Sequence, residues 1–191
     1  MIYLDNCATT PLDPSVSPVM MRVMEECFGN PSSIHAAGRR AARELAEARR
    51  VLADSLGARP SEIVLTSGGT EANNLILSGV IESALRTEER IHIVTSAVEH
   101  ASVAARLAWE VRCRPDRVEV TTLDVDCEGR ISPDELDAVL RARPNTRLVT
   151  LIHCNNETGV LQDLDALMAV RLRHPRIPFH LDIVQSYLKI P

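Results

Sequence analysis

The residue types from which a reaction centre could be built fall in a few short clusters: Ser67-Gly68-Gly69-Thr70-Glu71, Glu99-His100, His153-Cys154-Asn155-Asn156, and Asp182 with Gln185. An apolar run, Ile63-Val64-Leu65, enters the first cluster, and Leu75-Ile76-Leu77 with Val80-Ile81 leaves it at helical spacing. A glycine pair at such a turn lets backbone approach a ligand without a Cβ in the way, and the free N–H groups of the new helix favour an anion. Thr70 could add a hydroxyl. An ordinary strand-to-helix turn has the same pattern. Every other member also has a bland reading. His100 could cap a helix or donate to a carbonyl, Asn155 and Asn156 could be turn residues, Asp182 could cap, and Gln185 could lie on the surface. Taken together, an anion cup, an aromatic base, two amides and a carboxylate suit a phosphorylated, nitrogen-containing cofactor.

These clusters lie far apart in the chain, so a fold must gather them. Strand-like runs are predicted at 63–66, 91–95, 118–122, 148–153 and 177–182, with helix-like segments at 70–85, 101–113, 133–141 and 164–173 between them. Ser132-Pro133-Asp134-Glu135 opens one helix with an N-cap serine, a proline and a capping-box glutamate. Strand and helix alternating in this way predict an α/β fold, with a mostly parallel sheet covered on both faces. Ligands of open parallel sheets bind outside the carboxyl ends of the strands. The four clusters follow the runs 63–66, 91–95, 148–153 and 177–182.

The first sixty residues read differently. Asp13-Pro14 is an N-cap followed by a first-turn proline, and Val19, Met20, Val23, Met24 and Cys27 line one face of the helix it starts. Its methionines read as core filler. A longer amphipathic helix runs from about Ala36 to Leu56, capped by Gly57, and its arginines interleave with Glu44 and Glu47 as a solvated face. The expected division is an N-terminal arm with helices over 1–60 and a sheet domain over 61–191.

Composition narrows the function class. With 26 acidic and 21 basic side chains the 191-residue chain has net charge −5, which disfavours a nucleic-acid partner. No apolar run reaches membrane-spanning length and no signal-peptide pattern opens the chain. The five cysteines, Cys7, Cys27, Cys113, Cys127 and Cys154, form no CxxC pair, which suits a reducing cytoplasm and gives no metal site. Cys7 and Cys154 read as small buried residues. Lys189 is the only lysine.

The segments Asp5-Asn6-Cys7-Ala8-Thr9-Thr10-Pro11, Gly29-Asn30-Pro31-Ser32-Ser33, Thr66-Ser67-Gly68-Gly69-Thr70-Glu71, Val98-Glu99-His100, Asn155-Asn156-Glu157-Thr158-Gly159 and His180-Leu181-Asp182-Ile183-Val184-Gln185 occur in one order. In that order the chain resembles the cysteine desulfurases, pyridoxal-phosphate enzymes of the class V aminotransferase group. It is closest to the branch holding bacterial sulfur-mobilising enzymes and selenocysteine lyases. The resemblance covers essentially the whole chain. It implies the three-layer large domain of the fold type I pyridoxal-phosphate transferases, with pyridoxal 5'-phosphate as cofactor. Gly69 and Thr70 would hold its phosphate, and His100 would stack on its ring and assist proton transfer. Asp182 would pair with the ring nitrogen, while Gln185 and Asn156 would bond the ring oxygen. L-cysteine would yield L-alanine and leave its sulfur on an enzyme cysteine as a persulfide, for iron–sulfur cluster or other sulfur-cofactor synthesis. A cytoplasmic homodimer that hands sulfur to an acceptor protein is implied, without nucleic acid or membrane.

The chain also departs from the pattern. The family's cofactor-anchoring lysine follows a Ser-x-His cluster beyond the Asp-x-x-Gln motif, and the sequence reaches Pro191 first. Lys189 matches a different lysine, in a Gln-x-x-Gly-Lys segment that reads Gln185-Ser186-Tyr187-Leu188-Lys189 here. The sulfur-accepting cysteine, the carboxylate-binding arginine and the small C-terminal domain are likewise expected further along. The expectation is an N-terminal portion of a desulfurase, inactive by itself, with the sheet truncated before its last strands. The run 63–66 would then lack its lateral partner, and the other strands would pair in the order 91–95, 118–122, 148–153, 177–182. Selenocysteine lyase, or a non-catalytic scaffold derived from the fold, are the alternatives.

Overall fold

The computed structural model describes residues 2–6 and 8–190, so Cys7 and the reading attached to it lie outside the described residues. The chain forms two compact units, one up to Leu65 and one from Thr66.

The first unit is helical. α1 (Val16–Glu26) begins later than Asp13-Pro14 suggests: Ser15 takes the N-cap position, and Asp13 Oδ1 accepts from both the N–H and the hydroxyl of Ser15. No residue of α1 is buried, and Met20, Met21 and Met24 are exposed, which corrects the reading of its methionines as core. The reason is local, since buried side chains in this unit are few and small, among them Cys27, Ala41 and Ala53. α2 (Ala36–Ser55) matches the expected helix. His35 caps its start through the Gly38 N–H, and Gly57 ends it at φ 61°, where a Cβ would be strained. Arg50 bridges Glu47 and Asp54 on its solvated side.

After a short 3-10 turn at Pro60–Glu62, the run 63–66 continues without entering a ladder, so the strand expected there does not form. Ile63 is extended (φ −88°, ψ 120°), and Val64 and Leu65 are exposed. An extended segment becomes a strand only when a neighbour takes its N–H and C=O groups. The sheet's ladders run among its four strands alone.

Those strands are β1 (Ile91–Ser96), β2 (Val118–Leu123), β3 (Thr146–Ile152) and β4 (Phe179–Asp182), all parallel, in the order β2-β1-β3-β4. The expected order placed 118–122 inside the sheet; it is at the edge and β1 is central. Burial explains the exchange. Every residue of β1 is buried, whereas β2, Val-Glu-Val-Thr-Thr-Leu, keeps an exposed and partly exposed middle that an edge tolerates. One register shift occurs between His92 and Ile93, where Arg147 is the extra residue on β3.

Helices cover both faces. α3 (Gly69–Ala84) and α4 (Ala101–Cys113) bury Leu77, Ile81, Val103 and Leu107 against Ile91, Ile93 and Leu148. α5 (Pro133–Ala142) and α6 (Leu164–Arg173) bury Leu136, Leu140, Leu167 and Val170 against Val94, Val149 and Leu151 on the other face. The three-layer α/β architecture is therefore as expected. Ser132 caps α5 by accepting the Glu135 N–H at 3.3 Å. Truncating a fully buried leucine such as Leu77 to alanine costs about 2–5 kcal/mol.

Candidate functional site

Because all four strands run the same way, their carboxyl ends share one rim of the sheet. β1 ends at Ser96, β3 at Ile152 and β4 at Asp182, and the connections that follow carry Glu99-His100, His153 to Gly159, and Val184 to Ser186. α3 starts at the same rim, because Asn73 in its second turn reaches Asp182.

Asp182 is the best-defined group of the rim. It is buried, and both carboxylate oxygens accept hydrogen bonds: Oδ1 from the Val184 N–H at 3.1 Å, Oδ2 from Asn73 Nδ2 at 2.8 Å. Its backbone C=O accepts the His153 N–H at 3.0 Å, which ties the end of β4 to the end of β3. The bland reading, a local cap, is thus partly realised in the bond to Val184. The bond to Asn73, across 109 positions of sequence, is not local.

Asn73 lies just past the glycine turn and has no role in the sequence reading, yet it connects the site. The same Nδ2 donates to Ser102 Oγ at 2.9 Å, and Ser102 Oγ lies 2.7 Å from His100 Nδ1. A usable signal existed: Asn73 occupies the buried stripe of α3, four residues before Leu77 and eight before Ile81. A polar residue on an apolar stripe needs a partner, and Asp182 and Ser102 supply it.

His100 is half-buried and is the N-cap of α4, its Nδ1 accepting the Ser102 N–H at 3.1 Å. Among the described residues its Nε2 has no hydrogen-bond partner. Two other histidines are different: His92 sits between Thr146 and Thr121, and His180 bonds Thr150, each a core histidine with a threonine partner. Burial holds both below the ordinary histidine range.

Beside His100, Glu99 turns inward. Its Oε1 accepts from Ser96 Oγ at 2.5 Å and from the Ile152 N–H at 2.9 Å, so it links the ends of β1 and β3. Oε2 is buried without a partner. Burial pushes this carboxyl up to about 7, the bonds from Ser96 and Ile152 oppose the rise, and the Asp182 charge adds to it.

At the start of α3, Gly68 is the N-cap and supplies no side-chain cap. The first helical bond runs from the Ala72 N–H to the Gly68 C=O, which leaves the N–H groups of Gly69, Thr70 and Glu71 outside the ladder. Glu71 folds back to accept the Ser67 N–H at 2.6 Å, which holds its carboxyl below the usual range. Gly69 is closely approached: a Cβ there would lie 2.8 Å from Val184 Cγ2, next to Asp182. Thr70 is exposed.

Of the paired asparagines, Asn155 is a structural hub. Its Nδ2 donates to the Val98 C=O at 2.9 Å, and its Oδ1 accepts the N–H groups of Glu157 and Thr158. That is the turn role expected as its bland reading. Asn156, half-buried, follows on the same turn. Gln185 is half-buried, 3.4 Å from Lys189 Nζ. Cys154 is half-buried rather than buried. The structure thus brings Asp182 and His100 into one hydrogen-bonded network through Asn73 and Ser102. Gly69 lies against Val184 beside it, and among the described residues Thr70 and Asn156 make no hydrogen bond to that network.

This donor set can take a pyridoxal-type group. It offers free N–H groups at a helix start for an anion, a buried carboxylate with lone pairs to spare, and an imidazole N–H. Among the described residues, no group of three His, Cys, Asp or Glu side chains is placed to hold a metal ion, and no helix is long and apolar enough to cross a membrane.

The chain belongs to the class V aminotransferases, whose family model matches residues 2–191. Among curated proteins it is similar to the cysteine desulfurase IscS of Dictyoglomus turgidum, 41% identical over 190 residues, covering 100% of this chain and 46% of that protein. Among solved structures it is similar to SspA in complex with cysteine, with TM-score 0.88, 37% identity, and coverage of 98% of this chain and 52% of that one. A NifS-like protein superposes with TM-score 0.90 at 32% identity, covering 100% of this chain and 50% of the other. The chain spans about half the length of the relatives it matches.

Proposed function

We propose that this chain is the cofactor-binding portion of a pyridoxal-phosphate-dependent cysteine desulfurase. The observation that carries the reading is Asp182, a buried carboxylate at the end of β4, oriented by Asn73 and the Val184 N–H beside the α3 start and the His100 network. Similarity to IscS and to the cysteine complex of SspA supports the choice of L-cysteine as substrate. Pyridoxal phosphate, when bound, supplies an electron sink for a carbanion formed on the substrate.

The chain's own groups have distinct tasks in this reading. Gly69 and Thr70 hold the phosphate with N–H groups and a hydroxyl. Asp182 would accept the ring N–H and keep that nitrogen protonated. His100 would lie on the ring face, and Asn156 and Gln185 would bond the ring oxygen. The close approach of Val184 to Gly69 disfavours any larger residue at 69. The anchoring lysine and the sulfur-accepting cysteine come from sequence beyond the residues described. In the complete enzyme the substrate C–S bond would break as its sulfur forms an S–S bond with an enzyme thiol; the carbon would keep the C–S electron pair and take up the displaced proton, so that the products are alanine and an enzyme persulfide. A homodimer, an acceptor protein for the sulfur in iron–sulfur cluster assembly, and a cytoplasmic location belong to the same proposal.

The test is Asp182→Asn in the complete gene product. A neutral amide cannot hold the ring proton, and a hydrogen bond to a charged group is worth about 1.5–3 kcal/mol, so alanine formation should fall at least about tenfold. The absorption of the bound cofactor should change as well. Unchanged rates with an unchanged spectrum would remove Asp182 from the site. Selenocysteine assayed beside cysteine separates desulfurase from lyase.

A further inference from the structure

We propose that Asn73 and Ser102 are positioning residues that hold the neutral His100 imidazole in its Nε2–H tautomer, so that it meets the site as a hydrogen-bond donor. The inference deepens the proposed function, because it rests on His100 facing the cofactor.

The hydrogen-bond directions settle one another. Asp182 Oδ2 is an acceptor, so the atom of Asn73 that faces it must be the NH2 group. That same nitrogen faces Ser102 Oγ at 2.9 Å, so the serine oxygen accepts there. The Ser102 hydroxyl, its oxygen accepting from Asn73, faces His100 Nδ1 at 2.7 Å and still has its proton to donate there once Nδ1 is an acceptor. The Ser102 backbone N–H, which can only donate, meets the same Nδ1 at 3.1 Å. Two donors therefore converge on Nδ1, which must present its lone pair. In a neutral imidazole the proton then sits on Nε2.

The consequence is chemical. A neutral imidazole has one basic lone pair, and here it is committed to Ser102 on the side of the ring away from Nε2. His100 can donate a hydrogen bond to a carboxylate, a thiolate or a ring oxygen without rearrangement. Proton abstraction at Nε2 requires the relay to reverse first. The relay ends on Asp182, so the groups proposed to meet the ring nitrogen and the ring face are held by one amide.

Nuclear magnetic resonance of the complete gene product, labelled with 15N-histidine and held at mildly alkaline pH, tests this directly. Signals of His100 are those lost in His100→Gln. Without cofactor, the wild type should show a pyrrole-like Nε2 and a pyridine-like Nδ1. Ser102→Ala removes one of the two donors and should raise the Nδ1–H population about five- to tenfold, the loss of one net hydrogen bond. Ser102→Thr should restore the wild-type ratio, which general loosening of the fold would not do. Asn73→Asp replaces the donor to Ser102 with an acceptor and should shift His100 furthest toward Nδ1–H. A wild-type ring carrying its proton on Nδ1, or a ratio indifferent to Ser102→Ala, overturns the proposal. Adding pyridoxal phosphate tests the underlying reading separately: His100 signals should move, and signals that stay put would remove His100 from the cofactor site whatever its tautomer.

Discussion

Replacing Glu99 with glutamine should change how stability depends on pH more than it changes stability itself. Glu99 is held between β1 and β3 by Ser96 and the Ile152 N–H, and both bonds go to one oxygen, which glutamine reproduces as an amide carbonyl. What glutamine removes is the buried charge. The carboxyl is raised from 4.5 to about 7, first by burial and further by the nearby Asp182 charge. A carboxyl raised on folding retains its proton longer in the folded state, so its contribution is fully present below 4.5 and is lost as pH rises through about 7. At about 1.4 kcal/mol per pH unit between the two values, the loss is about 3 kcal/mol. Against a total stability of about 5–15 kcal/mol for a domain, that is readily measured. Urea unfolding of the 191-residue chain and of Glu99→Gln across this range is the assay. The difference between them cancels titrations common to both, and wild type should lose about 3 kcal/mol relative to the variant as pH rises. A difference that stays flat with pH would refute the reasoning, because it would mean that Glu99 ionises as freely folded as unfolded.

Asn155→Ala removes four side-chain hydrogen bonds at the turn after β3, the one to the Val98 C=O among them, so unfolding should come about 1–3 kcal/mol more easily; an unchanged urea midpoint would deny Asn155 its structural role. Leu188 has φ 57°, a left-handed conformation that costs an L-residue about 1–2 kcal/mol, offset by about 0.5–1 kcal/mol of extra chain entropy for glycine. Leu188→Gly should therefore raise the thermal midpoint slightly, and a lower midpoint would show that the side chain contributes more than the strain removes. In hydrogen exchange, amides of 63–66 should exchange quickly and those of β3 slowly, since β3 has ladder partners on both sides and 63–66 enters no ladder. Strong protection of 63–66 in a monomer would mean that this segment finds a partner.

Much of the second unit is legible in the chain because its information is local. Alternation of β-rich and helical runs, the Ser132 cap, the glycine after α2 and the position of each polar cluster at a strand end depend on a few neighbouring residues. The family order of motifs is likewise a property of the string. Pairing is different. The central place of β1 and the edge place of β2 depend on which strand can be buried on every side, although the polar middle of Val118–Leu123 hinted at the edge. Whether 63–66 becomes a strand depends on a neighbour, which no local pattern encodes.

The site divides in the same way. Glycine at 68 and 69, histidine at a helix start and a carboxylate at the end of β4 could be picked out by type and position. The bond that joins them could not: Asn73, Ser102 and Asp182 are brought together by α3 and α4 packing on one face of the sheet, between residues as much as 109 positions apart. The tautomer of His100 and the raised Glu99 carboxyl follow from that packing too. A proton's position and a charge's cost are set by the groups and solvent around them in three dimensions.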